Sequence, residues 1–134
     1  MEYEITHIDV DTNWVSHFTE KSTKLSELGG MYISPRQQAL NFRYRKSIPN
    51  YISEWHVAGD PTLIVIQSGA IEIELRSGQS KQFYPGQAFV AADYLPTDVV
   101  FSDQHGHRAR VIGHDEFVAI HFKLAESSKQ VYKR

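Results

Sequence analysis

The chain contains no cysteine. Disulfides, thiolate nucleophiles, Cys-ligated iron–sulfur clusters and Cys-based zinc sites are thereby excluded. Long apolar runs are missing as well: no stretch approaches the roughly 20 residues a membrane-spanning helix needs. Positive charge is not in surplus, with 14 Lys and Arg against 16 Asp and Glu, for a net charge of −2. A nucleic-acid module would carry a concentrated basic face, so neither a nucleic-acid nor a membrane partner is expected. The opening Met1-Glu2-Tyr3-Glu4 has no basic n-region and no apolar h-region, which argues against a signal peptide and for a cytoplasmic domain. Internal repeats and low-complexity segments are absent. No nucleophilic serine signature, phosphate loop or glycosidase-type carboxylate pair can be defended, and no catalytic residue is assigned.

What is present is an ordinary globular composition, 41% hydrophobic and 22% charged over 134 residues. That is enough for one domain with its own core and too apolar for disorder. The dominant pattern is short alternation broken by turn residues. Leu40, Phe42 and Tyr44 alternate with Asn41, Arg43 and Arg45; Ile71, Ile73 and Leu75 alternate with Glu72 and Glu74. Both are period-2 signals of strands with one wet face. On this reading Leu40, Phe42 and Tyr44 face the core, and Arg43 and Arg45 face water. Thr62 to Gln67 reads as a strand buried on nearly both faces. Gln67-Ser68-Gly69-Ala70, Arg76-Ser77-Gly78-Gln79 and Phe83-Tyr84-Pro85-Gly86 read as turns. Ala88 to Ala92 and Phe117 to Leu124 are further strands. Glu4 to Val10 and Ser16 to Leu25 also fit strands, although Ser22 to Leu28 fits a short Ser-capped helix equally well. Val99 to Phe101 fits a short strand inside a loop, and Asp11-Thr12-Asn13-Trp14 reads as a turn without chemistry. Strands at this spacing point to a sandwich or jelly roll. The expected layout is N-terminal strands over about 1–35, a barrel over about 36–125 and a polar tail over 126–134.

From Trp55-His56 through Thr62-Leu-Ile-Val-Ile-Gln-Ser-Gly69, Phe83-Tyr-Pro-Gly86 and Asp93 to Gly106-His107-Arg-Ala-Arg-Val-Ile-Gly113 the chain resembles the cupin superfamily. Within it, the resemblance is to small single-domain bacterial cupin-like proteins without an established activity. It implies an all-β double-stranded β-helix, a jelly-roll barrel, and, with the physics of unpaired edge strands, a homodimer. It also implies a small-molecule site at the barrel mouth. Metal-binding cupins place a His-x-His and a Glu on their first motif and another His on their second. That set suits one divalent ion of Fe, Mn, Ni or Zn. Here His56 takes the first position, but Ala58 and Thr62 stand where the second His and the Glu would be. Gln87 stands where Asp is common. The second-motif position falls on His107 if the loop from Tyr94 to His105 is an insertion, and on Thr97 otherwise.

The candidate ligand contacts are therefore His56, His107, Trp55 beside His56, and Asp93. Asp93 could fix the tautomer of an imidazole, or it could bond its own backbone in a turn. A metal would need His56, His107 and a further group, either His105, two residues before His107, or Asp93. If His107 faces inward, Arg108 and Arg110 face outward by alternation. His114 and His121 read as structural, His121 on an exposed or interface position because it shares parity with Lys123. Two functional classes follow: a binder of a small polar or anionic organic molecule, with or without metal-dependent catalysis, or a sensor or interaction module that has lost the site.

Overall fold

The computed structural model describes residues 1–125; the polar tail expected over 126–134 lies outside the described residues. The strands are β1 (Glu2–Val10), β2 (Ser16–Lys24), β3 (Ser26–Leu28), β4 (Met31–Ile33), β5 (Ala39–Ser47) and β6 (Thr62–Ser68). They continue with β7 (Ala70–Leu75), β8 (Ser80–Phe83), β9 (Ala88–Ala91), β10 (His107–Ile112) and β11 (Phe117–Leu124). Among the described residues there is no helix. The Ser22–Leu28 stretch is strand instead, because β1 supplies a pairing partner along its first half. Val99 to Phe101 stays in the loop.

A six-stranded sheet runs β2-β1-β9-β6-β11-β5, and a three-stranded sheet runs β10-β7-β8. Bridges from Ile52 to Arg110 and from His56 to His107 add the stretch 51–56 to the free side of β10 as an irregular fourth strand. The two layers then read β5-β11-β6-β9 and 51–56-β10-β7-β8, with the chain crossing between them. That is the order of an eight-stranded jelly roll, a cupin-like fold. No ladder joins the two sheets among the described residues, so the body is a sandwich and not a closed barrel. The β1–β2 hairpin extends the large sheet at the β9 edge, with β1 parallel to β9.

The inner faces make the core. Ile64 and Ile66 of β6, Phe89 of β9 and Phe117 and Ala119 of β11 meet Ile71, Ile73 and Leu75 of β7 and Ala109 and Val111 of β10. Phe83 and Phe89 stack with centroids 4.5 Å apart. The turns are made where the sequence places them. Gly69 has φ +72, and a Cβ there would lie 2.4 Å from the Glu116 carbonyl, so this tight turn requires glycine.

On β5 the alternation is real but the faces are reversed. Leu40, Phe42 and Tyr44 are 53%, 57% and 76% exposed, whereas Arg45 is half-buried and turned inward. The register explains this: Arg45 lies opposite Ala119, whose side chain is fully buried, and Phe42 lies opposite Phe122 on the outer face.

Burial sets an expected outcome. Phe89→Ala removes a fully buried ring from between the sheets and should lower stability by about 3–5 kcal/mol in urea unfolding. Ile52→Ala, at a 59% exposed position, should change it by less than about 0.5 kcal/mol.

Candidate functional site

The site begins at a turn. Asp11 Oδ1 accepts from the backbone N–H groups of Asn13 (2.7 Å) and Val15 (3.0 Å), and Trp14 takes φ +63. This tight connection delivers Ser16, the first residue of β2, to a buried position. There the Ser16 hydroxyl donates to Asp93 Oδ2 at 2.6 Å. Asp93, two residues beyond the end of β9, has no exposed surface. Its Oδ2 also accepts from His107 Nδ1 at 2.7 Å, and its Oδ1 from the Ala58 backbone N–H at 3.1 Å. The turn-Asp alternative is thus replaced by a long-range carboxylate hub joining three remote segments.

His107 and His56 are brought together by backbone pairing. The His56 N–H donates to the His107 carbonyl (3.0 Å), and the His107 N–H to the His56 carbonyl (2.8 Å). Their rings sit 4.5 Å apart. Gly106 permits this approach: it has φ +87, and a Cβ there would lie 2.5 Å from the His56 carbonyl oxygen. The alignment that places Thr97 in the second motif is thereby set aside, since Thr97 is exposed in the loop.

The tautomers follow from the acceptors. His107 Nδ1–H donates to Asp93, and His56 Nδ1–H donates to the Glu54 carbonyl at 2.8 Å. Each ring is left with Nε2 as its free nitrogen. His56 stands at the solvent-facing mouth. Desolvation of the ring by the pocket pulls its pKa below the usual imidazole value, opposed by the Glu54 bond.

Both rings line a cavity of about 150 Å³ whose floor is Ile64, Ile71, Ile73 and Phe89. Arg45 and His121, which the sequence reading placed outside, line it too, as do Ala58 and Thr62. Parity explains the error: Arg45 and His121 share the inward face with Ala119, and the inner end of that face borders the cavity, not packed core. Arg45 Nε donates to Ser47 at 3.0 Å, and its guanidinium lies 5.0 Å from the Phe117 ring and 5.6 Å from the Tyr51 ring. Among the described residues no carboxylate pairs with it. His121 Nε2 is buried without a hydrogen-bond partner among the described residues. Burial, then the charges of Arg45 and Arg43, push the His121 pKa down to about 4.

Two expected contacts lie elsewhere. Trp55 points away from His56 by strand alternation and is held between the guanidinium groups of Arg76 (4.1 Å) and Arg108 (4.7 Å). His105 is buried in the loop, its Nδ1 accepting from the Ser102 N–H at 2.9 Å. Arg108 and Arg110 face outward and pair with Glu74 and Glu72, each at 2.6 Å.

A resident metal does not fit these residues. Among the described residues no three His, Asp or Glu side chains are arranged to hold an ion. Asp93 is spent on its three donors, His105 on Ser102, and Ala58 and Thr62 bring no strong donor. Two imidazoles fall short of the three or four protein ligands of a stable site.

Two outcomes are expected. Asp93→Ala strands Ser16, His107 and the Ala58 N–H in a buried place, and should cost about 3–5 kcal/mol in denaturant unfolding. Asp93→Asn, which keeps an acceptor, should cost less, and both should shift the His107 Nδ1–H resonance in NMR spectra. For pH, the folded value of His121 lies below its unfolded value near 6.5, and His7 is likewise lowered to about 4, chiefly by burial. The unfolded chain therefore binds the extra protons between those values. Stability is fully present above about pH 6.5 and falls as pH drops towards 4. His121→Gln should flatten part of that fall in unfolding measured across the window.

No known protein-family profile matches the chain, and no curated protein matches it. Among solved structures it is similar to the protein NMB1881 from Neisseria meningitidis, at 14% identity and TM-score 0.43, over 67% of this chain and 84% of that one. It is also similar to the cupin domain of Cnp3 from Schizosaccharomyces pombe, at 10% identity and TM-score 0.47, over 98% and 94% of the two chains.

Proposed function

We propose that the chain binds a small organic anion, a short-chain carboxylate, in the cavity between its two sheets. The observation that carries this reading is Arg45. A half-buried guanidinium without a carboxylate partner among the described residues is costly to keep, and an incoming anion would offset that cost. Its planar fork matches a carboxylate, and Tyr51 and Phe117 hold it by their ring faces.

The rest of the lining agrees. His121 brings a second nitrogen in need of a partner. His56 and His107 present Nε2 atoms that accept from a hydroxyl or amine on the same molecule. The apolar floor suits a short aliphatic stem. Size narrows the class: about 150 Å³ is below the roughly 300–1,000 Å³ of sites for larger ligands and matches a short molecule.

Ala58 and Thr62, in the lining where metal ligands would be needed, favour binding or sensing over metal-dependent catalysis.

The test is calorimetry and thermal shift with a panel of short mono-, di- and hydroxycarboxylates, with inorganic phosphate and sulfate beside them. One carboxylate class should raise the melting temperature. Arg45→Met should weaken its binding about 10- to 100-fold, the loss of a charge-assisted pair, and Arg45→Lys should not restore it. Equal binding by Arg45→Met, or no response to any carboxylate, would sink the reading.

A further inference from the structure

His121 lines the cavity from β11, and its Nε2 is buried with no hydrogen-bond partner among the described residues. Buried polar atoms are nearly always partnered, so one that is not, in a cavity wall, points to a group supplied from outside.

The charges around the ring are one-sided. On β5, Arg43 lies directly opposite in register and Arg45 diagonally, on the same inward face. On β11 itself Lys123 shares the parity, and it is paired with Asp60 at 3.2 Å. β6 places Ile64 opposite, and β7 and β9 bring only Ile71, Ile73, Phe89 and Ala91 to the lining, none of which titrates. The facing layer brings Tyr51 against Arg45, His107 with its Nδ1 on the buried Asp93, and His56 with its Nδ1 on the Glu54 carbonyl. Burial first, then the positive charges of Arg45 and Arg43, hold the His121 pKa down at about 4. With those charges alone around it, the ring is uncharged at neutral pH.

We propose that His121 takes up a proton when a carboxylate enters beside Arg45, so that the cavity binds an anion and a proton together. The inference rests on the anion reading above and specifies how that same site responds to pH. A carboxylate paired with Arg45 cancels the charge that repels a proton from His121 and adds one that attracts it. It also only accepts hydrogen bonds, so a nitrogen facing it must carry a hydrogen. An opposite charge within about 4–6 Å raises a group's proton affinity by about 10- to 1,000-fold. The proton comes from solvent, no other bond forms or breaks, and the added carboxylate and imidazolium charges cancel. Beside an apolar floor that cancellation matters more than it would in water. His121 is favoured over the other two histidines because the His107 ring already has the Asp93 carboxylate and His56 stands at the mouth, where water solvates it.

The experiment is calorimetry at about pH 6 in two buffers of different ionisation enthalpy, with propionate, lactate and malonate as probes, corrected for each probe's own ionisation. For a rise of about 100-fold in proton affinity, about half a proton should enter per bound ligand, and affinity should tighten about fourfold from about pH 7.5 to about pH 5.5. His121→Gln should bring the uptake close to zero. In NMR spectra of the wild type, the His121 ring should titrate at higher pH with the probe bound than without it; this decides the question if the variant does not fold. Binding that depends on Arg45 but takes up no proton overturns this inference and leaves the anion reading standing. Uptake that persists in a folded His121→Gln variant assigns the proton to another group and overturns it too. If no probe binds, the anion reading and this inference fall together.

Discussion

A buried carboxylate holds this molecule's parts in register. Asp93 sits two residues beyond the end of β9 with no exposed surface, and accepts from Ser16 at the start of β2, from Ala58 before β6 and from His107 at the start of β10. Leaving an ion unpaired in such a place would cost several kcal/mol. Three segments far apart in sequence are therefore held to one point. The N-terminal hairpin, the large sheet and the small sheet all meet there. Because Asp93 takes Nδ1–H of His107, the orientation of His107 in the cavity lining follows from the same contact that ties the layers.

The chemistry of the cavity follows from what surrounds that hub. The backbone exchange between His56 and His107, possible because residue 106 is glycine, sets two imidazoles side by side with Nε2 free on each. Arg45 and His121 line the same cavity; the Arg45 guanidinium has no carboxylate partner and His121 Nε2 no hydrogen-bond partner among the described residues. The donor set is cationic and neutral, and the Asp93 carboxylate beside it is already spent on Ser16, Ala58 and His107. Such a site is poor for a cation and suited to an anion.

The β5 strand links this cavity to the outside of the protein. Its inner face is polar, with Arg45 at the cavity, and its outer face is apolar. In most half-buried strands the polar face is the wet one. Here the inner face borders a cavity and not packed core, and the outer face joins an apolar row shared with β11 and β6. Cavity and outer surface are thus two sides of one strand, and a rearrangement of β5 would reach both.

Much of the fold was legible in the residues. The strand-length alternations, the Ser-Gly, Ser-Gly-Gln and Pro-Gly turns, and the Gly106-His107 step each depend on local backbone preferences, and each is realised. Of the candidate site, His56, His107 and Asp93 were named through the resemblance, and the structure brings them together. Trp55 and His105 did not join them, the first because alternation turned it to the other face, the second because its loop closed on Ser102. Arg45 and His121 were read onto the wrong face, and Ser16 was not singled out. A period of two says that the faces of a strand differ, not which one lies inside; that is decided by the register against β11 and by where the core ends. Local sequence therefore determined the strands and the turns, the glycine at 106 among them. Tertiary packing alone decided that Asp93 would be a hub, that Arg45 and His121 would enter the cavity, and that Phe42 and Tyr44 would face outward. Each of those outcomes depends on partners dozens of residues away, which no local preference can specify.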